Sequence, residues 1–348
     1  MERNQLASGA YGALLGLAMG DAIGFPAMYH RGLNAEWTRS LLWKFSAQAD
    51  ENRINKFALP FSLTQEEEAF NLCGTDDTEY AVVSALILSE TAGIPDLRQL
   101  EQGWNRHVRD HADSIWSGIS ERASIDNALK GLTAPATGND NPHHFDDGAV
   151  ARAVPVGIRF HGRPDIASRV AGDMASITNA EDGVFAAQAM AASIAVAMNG
   201  ASPKETVEAG LDYVPGDSWT GRKIRQAITI AENAGSAMEA IPLWNNLVVN
   251  HIYNFGNIAP ETLAVSYGIL LSADGDFNQC MQLAAMVPKQ ADSMPAMVGA
   301  LVGAINGSSA VPSSWIALLD ELKGICVPHT KGLSLRNIAE RLLTGGEL

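Results

Sequence analysis

The chain predicts an all-α fold. Long segments rich in Ala, Leu, Met and Gln follow one another from end to end, separated by Gly, Pro, Asn and Asp, the residues that stop helices and turn the backbone. Period-two runs of Val, Ile and Thr, the mark of half-buried strands, are nearly absent. Several segments also carry faces of small residues, which let helix axes approach closely and offset the ~1 kcal/mol that Gly costs in a helix relative to Ala.

In order, the punctuation predicts helices near 7–19, 76–91, 97–111, 122–130, 148–158, 165–177, 182–198, 203–212, 220–233, 260–272, 276–286, 293–305, 313–323 and 333–343. The first has small residues at Gly9-Ala10, Gly12-Ala13, Gly16 and Ala18, and the helix at 293–305 has Gly299 and Gly303. The helix at 76–91 leaves an acidic turn and runs on through Tyr80-Ala81-Val82-Val83 and Ala85-Leu86-Ile87-Leu88. The longest apolar stretches, Met294 to Ile305 and Val184 to Met198, fall short of the roughly 20 residues that span a bilayer, and Gln188 and Ser193 interrupt the second. Both read as buried helices. Two stretches resist helix assignment: 24–73, with Pro26 and Pro60, and 132–146. Long loops are uncommon in a compact helical domain and are often functional, so these two are expected to border a cleft. No fixed-period repeat or low-complexity linker divides the chain, which reads as a single domain over 1–348.

With 348 residues, 47% of them apolar and 18% charged, the chain can bury a substantial core. Its formal charge of −15 argues against a nucleic-acid partner, since phosphate backbones are bound by clustered Lys and Arg. An anionic small molecule fits only where metal ions offset the repulsion. Cys73, Cys280 and Cys326 have no paired spacing, so neither a disulfide framework nor a zinc ribbon is expected. The opening Met1-Glu2-Arg3-Asn4-Gln5 lacks the basic and apolar regions of a secretory signal, and a cytoplasmic protein is expected.

The chemistry concentrates in Gly74-Thr75-Asp76-Asp77-Thr78, where two adjacent carboxylates and two hydroxyls share one turn. Oxygen clusters of this kind hold hard cations such as Mg²⁺ or Mn²⁺. A second oxygen-rich turn, Ala291-Asp292-Ser293, precedes another apolar helix. Each also has a plain reading as a helix start: Asp76 with Glu79 makes an acceptable capping box, and Pro295 suits a first turn. If the two turns meet in space, they make a metal site.

The segment Gly12-Ala13-Leu14-Leu15-Gly16-Leu17-Ala18-Met19-Gly20-Asp21-Ala22-Ile23-Gly24-Phe25-Pro26 resembles the opening of the ADP-ribosylglycohydrolase family, and Gly74-Thr75-Asp76-Asp77-Thr78 resembles that family's first metal motif. Asp147-Gly148-Ala149-Val150-Ala151-Arg152 is similar to its asparagine-glycine-alanine and arginine segment. Thr178-Asn179-Ala180-Glu181-Asp182 stands where threonine, histidine and a following acid are usual. Its last motif, Gly-Gly-Asp-Thr-Asp-Thr, corresponds to Pro288-Lys289-Gln290-Ala291-Asp292-Ser293, followed by the small-residue helix and Val311-Pro312-Ser313-Ser314-Trp315.

The resemblance covers nearly the whole chain and implies a compact all-α orthogonal bundle with one or two Mg²⁺ or Mn²⁺ ions. It implies Thr75, Asp76, Asp77, Gln290, Asp292 and Ser293 as metal ligands. It also implies Asp76, Asp77 and Asp292 as the catalytic residues and Asp21, Asp147, Gly148 and Asn179 as substrate-binding ones.

This chain departs from that pattern in four places. Gln290 replaces the first aspartate of the last motif, which removes a negative charge while keeping a carbonyl oxygen. Met28 stands where a glutamate is usual and can be neither base nor hard-ion ligand; Glu36 and Glu66-Glu67-Glu68 are candidate substitutes, the run reading more simply as a solvated face. Asn179 replaces a histidine. Asp147 replaces an asparagine and would repel a diphosphate unless a metal or Arg152 compensates.

Other constellations are weaker. His107 and His111 have metal-clasping spacing but no evident third ligand, and His143-His144 can handle a proton if the second loop enters the cleft. No nucleophile elbow or Walker loop occurs, and carboxylates beside Cys73 should suppress its thiolate. The expected activity is a metal-dependent glycohydrolase acting on an ADP-ribosyl or related ribosyl conjugate. The rivals are a catalytically impaired ADP-ribose or riboside binder of the same fold and a purely structural helical scaffold. No nucleic-acid or membrane partner is expected, and oligomeric state is open.

Overall fold

The computed structural model describes residues 3–31, 51, 72–252, 257–287 and 292–345. The protein is an all-α bundle, with two isolated bridges, Asp146 to Ile258 and Glu321 to Ser334, and no strand among the described residues. In order the helices are α1 (Arg3–Arg31), α2 (Asp76–Ser89), α3 (Leu97–His107), α4 (Ile119–Leu129), α5 (Ala136–Asn139), α6 (Gly148–Arg152), α7 (Val154–Arg159), α8 (Pro164–Ala175) and α9 (Asp182–Ala197). They continue as α10 (Pro203–Leu211), α11 (Trp219–Asn233), α12 (Ala237–Leu243), α13 (Ala259–Ser272), α14 (Phe277–Met286), α15 (Ser293–Asn306), α16 (Ser313–Leu319) and α17 (Leu335–Thr344).

Helices α9, α13 and α15 are buried on nearly every face, as their continuous apolar composition requires, and the others wrap them with one apolar side inward. The tightest pair is α1 with α15, which run antiparallel with Gly12 against Gly303, Gly16 against Gly299 and Gly20 against Pro295. A Cβ on either Gly16 or Gly299 would overlap the carbonyl of the other, so only glycine permits this approach. The contact has a consequence for the site. Asp21 follows Gly20 directly, so the glycine seam delivers Asp21 to the start of α15, which Asp292 caps.

Several expectations need correction. The first helix does not stop at 19; its backbone stays helical to Arg31, through Pro26, and so enters the stretch read as loop. Its window Arg3–Gly24 is long and apolar enough to cross a bilayer by length and composition, which makes it longer than the two apolar stretches noted in the sequence. Because 78% of that window is buried inside the protein, it is a core helix. The helix expected at 148–158 breaks at Ala153, with Pro155 in the first turn of the piece that follows. The one at 97–111 ends at His107 and continues as a 3-10 turn, Arg109–His111, while α5 and α12 were not read as helices at all. Both are short, and α12 carries an internal Pro242.

Candidate functional site

The acidic turn opens α2 with Thr75 at the cap position, yet Thr75 makes no side-chain cap of its own helix. Asp21 of α1 does that work from outside. Its Oδ2 accepts from the Thr75 amide at 2.6 Å, the Thr78 amide at 3.1 Å and the Thr78 hydroxyl at 2.6 Å, while Oδ1 accepts from the Thr75 hydroxyl at 2.5 Å. A fully buried carboxylate thus satisfies the free amides of the helix start, where the macrodipole favours negative charge.

The capping box expected between Asp76 and Glu79 does not form, because Glu79 is used elsewhere. Fully buried, it accepts the backbone amides of Ile325 and Cys326 at 2.8 Å each and of Val327 at 2.6 Å, pinning the 324–327 loop to the same turn. With Asp21 and Glu79 so engaged, Asp76 and Asp77 are left to face the site.

Two further acids come to the same place. Asp292 caps α15 and accepts from the Ser293 amide at 2.9 Å, and Asp147 stands at the first position before α6 without capping it through its side chain. Helix α6 packs against α2, α13 and α15, so Asp147 reaches the two acidic turns. Burial, then the charges of Asp292 and Asp21, holds the Asp76 carboxyl well above the usual carboxylate range. Asp77 is raised by burial, then by Asp76, Asp292, Asp21 and Asp147. Asp292 is pushed up to about 6 by burial and Asp21, and Asp147 is raised well above its ordinary value by burial, Asp146 and Asp292. Mutual elevation of this kind is the electrostatic signature of carboxylates gathered without a counter-charge.

Beneath them lies a polar layer. Arg152, 1% exposed, donates to Glu121 at 2.9 Å, to the Thr178 hydroxyl and to Asn179 Oδ1 at 3.4 Å, with its guanidinium 4.7 Å over the Trp104 ring. Asn179 donates to the Asp146 carbonyl at 3.1 Å and to Asp146 Oδ1 at 2.9 Å and accepts from Thr178 at 2.6 Å. Asp146, which also accepts from Ser120, is pushed up to about 7 by burial and Glu121. Arg152 is therefore committed to this layer and does not face the carboxylates as their counter-charge.

Of the residues singled out in the sequence, Thr75, Asp76, Asp77, Asp292, Ser293, Asp147 and Gly148 meet at the junction of α2, α6 and α15. Asp21 and Asn179 lie under the surface with their polar atoms internally bonded. Gln290, Glu36 and Glu66-Glu67-Glu68 lie outside the described residues, as does the side chain of Met28. His144 packs edge-on to Phe145, with its Nδ1 3.4 Å from the Ala180 carbonyl, and His143 stacks on the same ring. His107 and His111 gain a third ring, His329, at 5.7 and 4.8 Å between centroids. Burial and then Asp21 and Glu79 push the Cys73 thiol up to about 11, and no disulfide joins the cysteines. The role of Glu79 as the anchor of a distant loop was not read from the sequence. Its only local signal was a buried-helix position occupied by an acid.

Does the site suit a cation? Two buried carboxylate oxygens, Asp77 Oδ2 and Asp147 Oδ2, have no hydrogen-bond partner. Buried charges of this kind are paired or coordinate metals, so the donor chemistry fits a hard divalent ion. Among the described residues no three His, Cys, Asp or Glu side chains already converge as a finished ligand set. The hydroxyls of Thr75 and Ser293 are the other oxygen donors at hand, both buried.

The fold is thus an all-α bundle that gathers carboxylates from two helix starts. The profile of the ADP-ribosylglycohydrolase family matches residues 2–347, and the chain belongs to that family. It is 26% identical over 319 residues to the ADP-ribosylarginine hydrolase Tri1 of Pseudomonas putida (strain GB-1), covering 88% of this chain and 73% of that one. It is likewise 26% identical over 320 residues to an uncharacterized protein of Archaeoglobus fulgidus, covering 87% and 88%. A solved structure described as an ADP-ribosylglycohydrolase-related protein complex shares the fold, with a TM-score of 0.62 and 23% identity over 99% of this chain and 100% of that one.

Proposed function

We propose that the protein is a divalent-metal-dependent glycohydrolase that cleaves the glycosidic bond of an ADP-ribosyl or related ribosyl conjugate. The observation that carries this reading is the pair of buried, unpartnered carboxylate oxygens of Asp77 and Asp147 within a group of acids that raise one another's pKa. Thr75, Asp76, Asp77, Asp292 and Ser293 would hold Mg²⁺ or Mn²⁺, with Gln290 adding a carbonyl from the second motif. When bound, the ion supplies positive charge that binds sugar hydroxyls and lowers the pKa of water.

The chain's own residues supply the rest. Asp76 and Asp292 are the carboxylates of the group that remain partly exposed, so they can reach a bound sugar. The transition state of glycoside cleavage is oxocarbenium-like, and acids beside the anomeric carbon stabilise its positive charge. Asp292 would stand beside the sugar as the carboxylate that can take a proton from water. Asp21 holds Thr75 and Thr78 in place, and Glu79 fixes the loop beside them.

The second reading, a binder of the same fold that has lost turnover, is favoured by Gln290 and Met28, which lack the acids usual in the resemblance. One assay separates them. Release of free ribose or ADP-ribose is measured from ADP-ribosylated peptides, O-acetyl-ADP-ribose and nucleosides, with Mn²⁺ and with EDTA. Turnover that needs the metal and falls by roughly 10²-fold or more in Asp76→Ala supports the enzyme. Turnover untouched by EDTA or by that substitution overturns it, and ligand-induced thermal stabilisation without product supports the binder.

A further inference from the structure

We propose that Asp147 is a ligand of the divalent cation. The inference rests on the cation reading above and assigns a specific residue to it.

Asp147 is 2% exposed, and its Oδ2 has no hydrogen-bond partner. Asp77, 5% exposed, presents the same unpartnered Oδ2 from the first turn of α2. Asp147 stands at the start of α6, against both α2 and α15, the helices that carry the acidic turns. It feels the charge of Asp292, and Asp77 feels its charge in turn.

The neighbouring acids are already occupied. Asp21 takes four donors from Thr75 and Thr78, Glu79 takes three backbone amides, and Asp146 takes Ser120 and Asn179. The nearest cationic side chain of the polar layer, Arg152, is bound to Glu121 and covered by Trp104. Nothing in the described protein neutralises Asp147, and a buried carboxylate in that condition is retained where a cation compensates it. In the sequence an acid is gained at Asp147, where the resemblance has asparagine, while acids usual in it are missing at Gln290 and Met28.

The test is a Mn²⁺ titration of the purified full chain, with free Mn²⁺ read by electron paramagnetic resonance and melting followed in EDTA. Asp147→Asn should weaken binding by about tenfold or more. In EDTA, Asp147→Asn should melt no lower than the parent chain, since it removes a buried charge from among like charges. Asp147→Ser serves as the second variant should the amide fail to fold. Parent-like Mn²⁺ binding by either variant overturns the assignment. A parent chain that binds no Mn²⁺ overturns the cation reading itself, and this inference with it.

Discussion

Asp21, Asp76, Asp77 and Glu79 are carboxylates of one centre with two different duties. Asp21 and Glu79 are fully buried and spend their oxygens on amides and hydroxyls, so they shape the turn. Asp76 stays partly exposed, and Asp77 is buried with its Oδ2 unpartnered. Replacing Glu79 by Gln turns one acceptor oxygen into a donor aimed at backbone amides. Urea denaturation should then give a loss of about 2–4 kcal/mol, and a loss within about 0.5 kcal/mol would deny the anchoring role. The sequence made the first pair of acids visible because they adjoin in one turn. It could not separate cap from ligand, since the residue that caps, Asp21, is distant in the chain and becomes a neighbour only through folding. Asn179 is the converse case. A position expected to meet substrate proves to be an internal tie between Asp146 and Thr178, which no local pattern could reveal.

At the scale of elements, the glycine seam of α1 and α15 sets the distance between Asp21 and Asp292. Gly16→Ala would drive a methyl into the Gly299 carbonyl and push the helices apart. Denaturation should register a loss of about 1–3 kcal/mol, with a weakened Mn²⁺ response because the two acidic turns shift together; an unchanged chain would mean the seam is slack. The small residues made this packing legible in the sequence, and the all-α reading followed from the helical segments and the near absence of period-two runs. Helix ends were less legible, as the break at Ala153 and the run of α1 through Pro26 to Arg31 show.

A second element-scale feature is the turn carrying His329. Burial, then His111 and His107, holds its imidazole below the ordinary value, while Glu90 bonds His107 at 2.7 Å. A histidine whose folded value is depressed contributes stability that is full above its unfolded value and is lost as pH falls through the folded one. Between about pH 7.5 and pH 5.5 the parent chain should therefore lose more melting temperature than His329→Gln. Equal losses would remove the three rings from the account.

For the whole molecule, the fold is a device for holding like charges together. Helices from both ends of the chain converge so that α1, α2, α6 and α15 each deliver an acid to one centre. A cation bound there should stabilise the folded state by about 2.7 kcal/mol at a hundredfold excess over its Kd, and calorimetric melting with Mn²⁺ against EDTA reads that directly. No change in melting would mean the acids bind nothing. At this scale the family resemblance and the two turns were legible before any coordinates. The contribution of Asp147 was not, because an acid beside another acid in a loop gives no hint that one of its oxygens will be buried without a partner.

The most direct measurement is anomalous scattering from a crystal soaked in Mn²⁺. The account predicts a peak among Thr75, Asp76, Asp77, Asp147 and Asp292, lost or weakened in Asp77→Asn. An empty centre under saturating Mn²⁺, with the carboxylates instead bonded to one another or to Arg152, would contradict it.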